Sequence, residues 1–200
     1  MPNKPKVFDH VPSNARERVL IAAETLFRQR GYNTVTMRDI AEEVGIRQAS
    51  LYHHFPSKEQ LFITVTEQVF ERHRHGLQQA LAEAGSDLRA QLHAASGWFI
   101  SQPPLNFLSL MRNDMPALSV EQTQRLSLMA NQCIFDPIQQ AFVAAQEQGQ
   151  IRGVKPDILA GFFLSVMDGI NYASTLPDTS PKDVMASEVV SVMLDGLQPQ

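Results

Sequence analysis

A chain of 200 residues with 44% apolar content and a net charge of −4 has enough nonpolar material to bury one large core or two small ones. The single cysteine, Cys133, excludes an intrachain disulfide and any zinc site built on cysteines. The opening MPNKPKVFDH has no apolar signal core and the longest nearly apolar run, Ile158 to Met167, is only ten residues, so the expectation is a cytoplasmic chain with no membrane span.

The charge is unevenly spread. Residues 1–60 carry nine Lys/Arg against seven Asp/Glu, or +2, and residues 61–200 carry eight against fourteen, or −6. A mildly basic head on an acidic body implies that the head alone approaches an anionic surface.

Apolar residues recur at i, i+3 and i+4 from end to end and period-2 alternation is nowhere sustained, which predicts an all-α fold. A first helix over Ser13–Arg30 places Val19, Ala22, Ala23, Leu26 and Phe27 on one face and stops at Gly31. A second begins at Thr36, where Thr36 and Asp39 form a capping-box pattern, buries Met37, Ile40, Ala41 and Val44, and ends at Gly45. The few residues Gly45, Ile46 and Arg47 then force a sharp turn into a third helix, about 47–54, giving a helix-turn-helix. Pro56 stops that helix at Phe55. Ser57 caps a fourth helix that runs to about Ala84. Further helices are expected near 87–101, 104–113, 119–148, 157–176 and 182–196, delimited by proline- and glycine-containing breaks.

On the third helix Leu51 and Phe55, four apart, anchor inward, and Ala49 is small enough for close approach. Gln48, Ser50, Tyr52, His53 and His54 point outward, and none is an acid. With Arg38, Arg47 and Lys58 at its flanks, this surface suits insertion into a major groove, amides and hydroxyls reading base edges and cations meeting phosphates. Lys58 adds its charge to the backbone amides at the start of the fourth helix.

Residues 14–62, with Gly31-Tyr32, Thr36-x-x-Asp39-Ile40-Ala41, Val44-Gly45-Ile46 and Leu51-Tyr52-His53-His54-Phe55-Pro56-Ser57-Lys58-Glu59-Gln60-Leu61, resemble the DNA-binding domain of TetR-family transcriptional regulators. The resemblance implies a homodimer, usually a repressor, that reads a palindromic operator in double-stranded DNA and binds a small effector in a larger C-terminal domain. By the family pattern Gln48, Ser50 and Tyr52 face bases or nearby phosphates, whereas Thr36, Arg38, His53, His54 and Lys58 chiefly hold the backbone. Arg47 suits either task. His53 stands where Tyr or Trp is frequent, which substitutes a group of a type that titrates near neutrality, and Ala49 stands where Gly or Pro is frequent.

The expected organisation is therefore a helix-turn-helix domain over 1–60 and a helical ligand-binding and dimerisation domain over 61–200. Within the body, Trp98, Phe99, Phe107, Met111, Met129, Phe135, Phe163 and Met167 form either plain core or the wall of an apolar effector cavity between helices. Asn106, Arg112, Asn131, Asp168 and Asn171 are the polar residues available to orient an effector, Asn171 foremost. The last two helices, with Ile158, Phe162, Val166, Val189, Val192 and Met193, match the family's dimer interface.

No cofactor or metal is expected: His73 and His75 lie on different faces, and Glu67, Glu71 and His75 read as an exposed charge ladder. Cys133 reads as a buried filler or, alternatively, a thiol sensor. An enzyme is not expected, because Ser50 beside His53 and His54 has neither a nucleophile elbow nor a phosphate-cradling loop around it. The other alternative is a helical protein-interaction module without sequence-specific DNA binding.

Overall fold

The computed structural model describes residues 14–198. Lys4, Lys6 and Asp9, counted in the charge of the head, and Ser13, the expected first cap, lie outside the described residues. Every regular element among the described residues is helical, and the chain divides into two compact units, Met1–Val65 and Thr66–Gln200.

In the first unit, α1 (Ala15–Arg30) is capped by Asn14, whose side chain accepts from the Glu17 amide at 2.8 Å. It buries Val19, Leu20, Ala23, Leu26 and Phe27, with Leu20 in the place expected for the half-buried Ala22. Helix α2 (Met37–Val44) starts with the expected capping box, the Thr36 hydroxyl accepting from the Asp39 amide and the Asp39 carboxylate accepting from the Thr36 amide. Gly45 ends α2 in the left-handed region, φ 73° and ψ 34°, a conformation in which a side chain would strain the turn. Three residues later α3 (Gln48–His54) begins, and it closes at Phe55 because Pro56 holds the preceding backbone extended.

Helix α4 (Lys58–Glu83) is started by Ser57, whose Oγ accepts from the Gln60 amide. The boundary between the units falls inside α4, after Val65, beyond the expected break at residue 60. The reason lies in packing: Leu61, Phe62 and Val65 are buried, and the Phe62 ring meets Phe27 edge-on at 5.1 Å and Tyr32 at 4.7 Å. These residues complete the small core of the first unit instead of forming a link.

In the second unit, α5 (Leu88–Ser101), capped by Asp87, packs on α10 (Lys182–Asp195), and Arg89 donates to Asp195 across that pair at 3.1 Å. Helix α8 (Asp136–Glu147) packs on α9 (Pro156–Ala173). Leu92, Ile138, Phe142, Ala160, Phe163 and Val190 centre the core.

Two expected helices are interrupted. The expected 104–113 helix starts only at Phe107, after Asn106 at φ 49°, as the short α6 (Phe107–Ser109), and widens at once into a π turn over Leu110–Asp114. The expected 119–148 helix is α7 (Val120–Ala130), a π turn over Asn131–Phe135, and α8. Each π turn lies just ahead of a proline, Pro116 or Pro137. A proline in an α-helix lacks one N–H and its ring strikes the carbonyl four residues back, so a wider turn relieves the clash.

Candidate nucleic-acid interface and effector cavity

Helix α3 is held by two residues and exposes the rest. Leu51 is 0% and Phe55 1% accessible, and the Arg16 guanidinium lies 5.0 Å from the Phe55 ring centre. Arg47, Gln48, Ser50, Tyr52, His53 and His54 are all exposed, and no acidic side chain interrupts them. Ala49, expected to permit close approach, is itself exposed; the close packing under α3 is made by Leu51 and Phe55 alone.

Three of the expected contact residues, Thr36, Arg38 and Lys58, are engaged within the unit. The Thr36 hydroxyl donates to Asp39 Oδ2 at 2.7 Å while accepting from the Asp39 amide, so its single proton is committed and it can donate to a phosphate only by rotating away. These Thr36 hydrogen bonds hold the Asp39 carboxyl below the ordinary range. Arg38 Nε donates to Glu42 Oε1 at 2.8 Å, a highly exposed pair of little net worth that a phosphate can replace.

Lys58 differs most from expectation. Its Nζ donates to the carbonyls of Tyr32 at 2.8 Å and Val35 at 3.0 Å, and sits 4.2 Å from the Tyr32 ring centre. Burial pushes its pKa down. The ammonium is thus a clamp that ties the loop after α1 to the start of α4, with one N–H left over. Tyr32 supplies both a carbonyl and a ring to this clamp, a role that the Gly31-Tyr32 match in the sequence does not reveal. Its position after Gly31 is a local signal, but its partner is 26 residues away.

In the second unit a cavity is lined by His73, Phe99, Pro103, Leu105, Phe107, Ile134, Leu164, Met167, Asp168 and Asn171. Of the expected effector residues, Phe99, Phe107, Met167 and Asn171 line it. Trp98, Met111, Met129, Phe135 and Phe163 do not: Phe163 is core, Phe135 packs against that core, and Trp98 lies across Gly76 of α4. Among the other polar candidates, Asp168 lines the cavity, Asn131 donates to Asp136, and Asn106 and Arg112 are exposed. The cavity is nearly closed, at about 20 Å³ of room for water centres, enough for a single water.

His73, set aside from sequence together with His75, is 1% accessible and belongs to the cavity wall. Its signal was the spacing Val69, Phe70, His73, Leu77, which puts it on the inward face of α4. His75 is exposed beside Glu71, whose carboxylate also pairs with Arg74. No group of three metal-ligating side chains occurs among the described residues. Cys133 is buried, and burial pushes its thiol up, which opposes thiolate chemistry.

A second concavity runs between α9 and α10, bordered by Leu159, Phe162, Val166, Val189, Val192 and Met193. Of its lining, Phe162 is 52% and Val192 74% accessible, and Ile158 on α9 is also exposed, at 57%. No helix among the described residues is long and apolar enough to cross a membrane.

A small helical unit that buries two residues of a short helix and presents its acid-free remainder defines a helix-turn-helix protein. Residues 19–65, which hold α2, α3 and the buried start of α4, match the family model described as bacterial regulatory proteins, tetR family. The HTH-type transcriptional repressor KstR2 of Mycolicibacterium smegmatis is 50% identical over 50 residues, 25% of this chain and 24% of that protein. KstR2 of Rhodococcus jostii is 40% identical over 82 residues, 41% of this chain and 40% of that protein. The matched part thus spans well under half the length of either relative. AibR, in a crystal structure with isovaleryl coenzyme A and operator DNA, superposes with a TM-score of 0.74 at 23% identity, over 93% of this chain and 99% of AibR. At that identity the likeness shows the fold alone, over the part covered.

Proposed function

We propose that this chain is a cytoplasmic, ligand-responsive repressor that binds a palindromic operator as a homodimer and releases it when a small, largely apolar molecule occupies the second unit. The observation that carries the DNA-binding part is α3, with Leu51 and Phe55 sealed beneath and Gln48, Ser50, Tyr52, His53 and His54 exposed above without an acid among them. Gln48, Ser50 and Tyr52 read base edges, Arg47 reads or anchors, and His53, His54 and Arg38 meet the phosphates. Thr36 and Lys58 act mainly by fixing the turn that presents α3.

The repressor reading is supported by KstR2, a repressor by name, and the effector reading by the complex of AibR with an acyl coenzyme A and its operator. Dimerisation is supported by the exposed apolar face of α9 and α10, since one seven-residue helix gives little affinity and half-sites lie about 34–36 Å apart on DNA. Helix α4 contributes residues to both units, and is the element through which occupancy of the second unit biases the first. A coupling of about 1–3 kcal/mol is enough to change operator occupancy several-fold or more.

Selection of bound duplexes from a random pool, followed by salt titration of the selected site, tests the reading. A palindromic sequence is expected, with Gln48→Ala losing about 1–3 kcal/mol of discrimination at one base pair and keeping its salt slope. A pool that yields no preferred sequence, together with salt-insensitive capture of a polypeptide, would establish a protein-interaction module instead.

A further inference from the structure

The side chain of His73 is tied down on all sides but one. Its ring stacks on Phe99 at 5.5 Å between centres and 30° between planes, and its Nδ1 lies 3.2 Å from the indole Nε1 of Trp98. An indole nitrogen donates and never accepts. Nδ1 must therefore carry the lone pair, which puts the proton of the neutral ring on Nε2. Burial, reinforced by the charge of Arg72, keeps the ring neutral by pushing its pKa down to about 4. Nε2 is sealed from solvent and has no hydrogen-bond partner among the described residues. A buried donor without an acceptor is costly, and native structures keep few of them.

The remaining polar groups of the cavity define what suits that donor. Asn171 Oδ1 accepts from Lys182 Nζ at 3.0 Å, so its amide N–H groups are the ones left to face an occupant. Asp168 is also part of the wall, and moving an anion from water in among the apolar side chains that make up most of the lining is costly. A cation would meet the His73 N–H with its own positive charge. The rest of the lining is apolar, from Phe99 and Phe107 to Met167.

We propose that this cavity takes an uncharged, mainly apolar molecule bearing a carbonyl or ether oxygen, and that His73 Nε2–H donates the hydrogen bond that selects it over the bare hydrocarbon. The proposal rests on the effector reading above and gives its chemical class. A molecule larger than one water widens the cavity at Pro103, Leu105 and Phe107, the part of the lining that precedes and begins the interrupted α6 segment.

The test uses the whole chain and three probes: a medium-chain methyl ketone, the alkane of the same length, and the matching carboxylate. Calorimetric titration of the wild type is expected to show the ketone bound about tenfold more tightly than the alkane, the equivalent of about 1.4 kcal/mol, with the carboxylate weaker than the ketone. His73→Phe, which keeps a ring against Phe99, is expected to erase the ketone preference, so that ketone and alkane bind it with equal affinity. Nitrogen NMR of the wild type provides a second measurement that survives any folding defect of the variant. It should show His73 protonated at Nε2, and a shift of that nitrogen on adding ketone but not alkane. A ketone preference absent from the wild type or unchanged in His73→Phe, tightest binding by the carboxylate, or a proton on Nδ1 would each overturn the proposal and leave an apolar effector cavity standing. If none of the three probes binds the wild type, the apolar effector reading falls, and the proposal with it.

Discussion

Gly76 offers the sharpest test of the packing that fixes His73. It is buried in the middle of α4, where a glycine costs about 0.8–1.0 kcal/mol relative to alanine. On propensity alone Gly76→Ala stabilises the helix. The structure opposes this, because a Cβ at Gly76 would overlap the six-membered ring of Trp98. The indole cannot stay, and forcing a methyl group into a packed site costs typically 1–3 kcal/mol. Displacing it also breaks the Trp98–His73 hydrogen bond, a further loss of about 1 kcal/mol. After the gain in propensity is set against these, the expected net destabilisation is about 1–3 kcal/mol, or a fall in midpoint of roughly 2–12 °C for a chain of this size. Trp98 is the only tryptophan, so its emission reports the site directly. Urea unfolding followed by fluorescence and by circular dichroism measures both effects. A variant stabilised by about 1 kcal/mol with an unaltered Trp98 spectrum would refute the placement of the indole over Gly76.

Three further outcomes are expected. Lys58→Met removes two hydrogen bonds to loop carbonyls and should destabilise the first unit by about 1–3 kcal/mol while leaving the salt slope of DNA binding almost unchanged; a slope smaller by about 0.9 with unchanged stability would restore Lys58 as a phosphate contact. For His73 the folded pKa is about 4 against 6.5 for the free group, so as pH falls the unfolded chain takes up the proton first. The associated stability is complete above about pH 6.5 and is lost between there and pH 4, up to about 3 kcal/mol in all, a slope that denaturation series at pH 7.5 and pH 4.5 should detect in the wild type and not in His73→Phe. Phe162→Glu places a charge on the exposed face of α9 and should halve the mass seen by sedimentation; a dimer undiminished by it would locate the interface elsewhere.

The helix-turn-helix was legible because its boundaries are set by neighbours in sequence. Thr36 and Asp39 are three apart, Gly45 stops α2 by its own conformation, and Pro56 stops α3 through the residue before it. The acid-free face of α3 follows from the same short stretch. What was misjudged is non-local. Lys58 looked like a free cation, yet its partners are the carbonyls of Tyr32 and Val35, 26 and 23 residues earlier. For His73, spacing gives the inward face of α4 but not the partners, since Trp98 and Phe99 come from α5. Phe163 and Phe99 make the same point in the body: periodicity shows that both face inward, but only packing separates a core position from a cavity wall.

The π turn at Asn131–Phe135 also resolves a question of phase. Leu126, Ala130, Ile134, Ile138 and Phe142 are all buried, and they are spaced by four. At 3.6 residues per turn each such step overshoots by roughly 40°, so four steps would carry the apolar line about 160° around a regular α-helix. The wider turn in the middle takes back part of that drift and returns Ile138 and Phe142 to the side from which Leu126 set out. The extra residue is therefore a timing element. Removing or adding one residue between Asn131 and Phe135 would rotate α8 against α7 by about 100°, turning Phe142 out of the core although no contact residue had been changed.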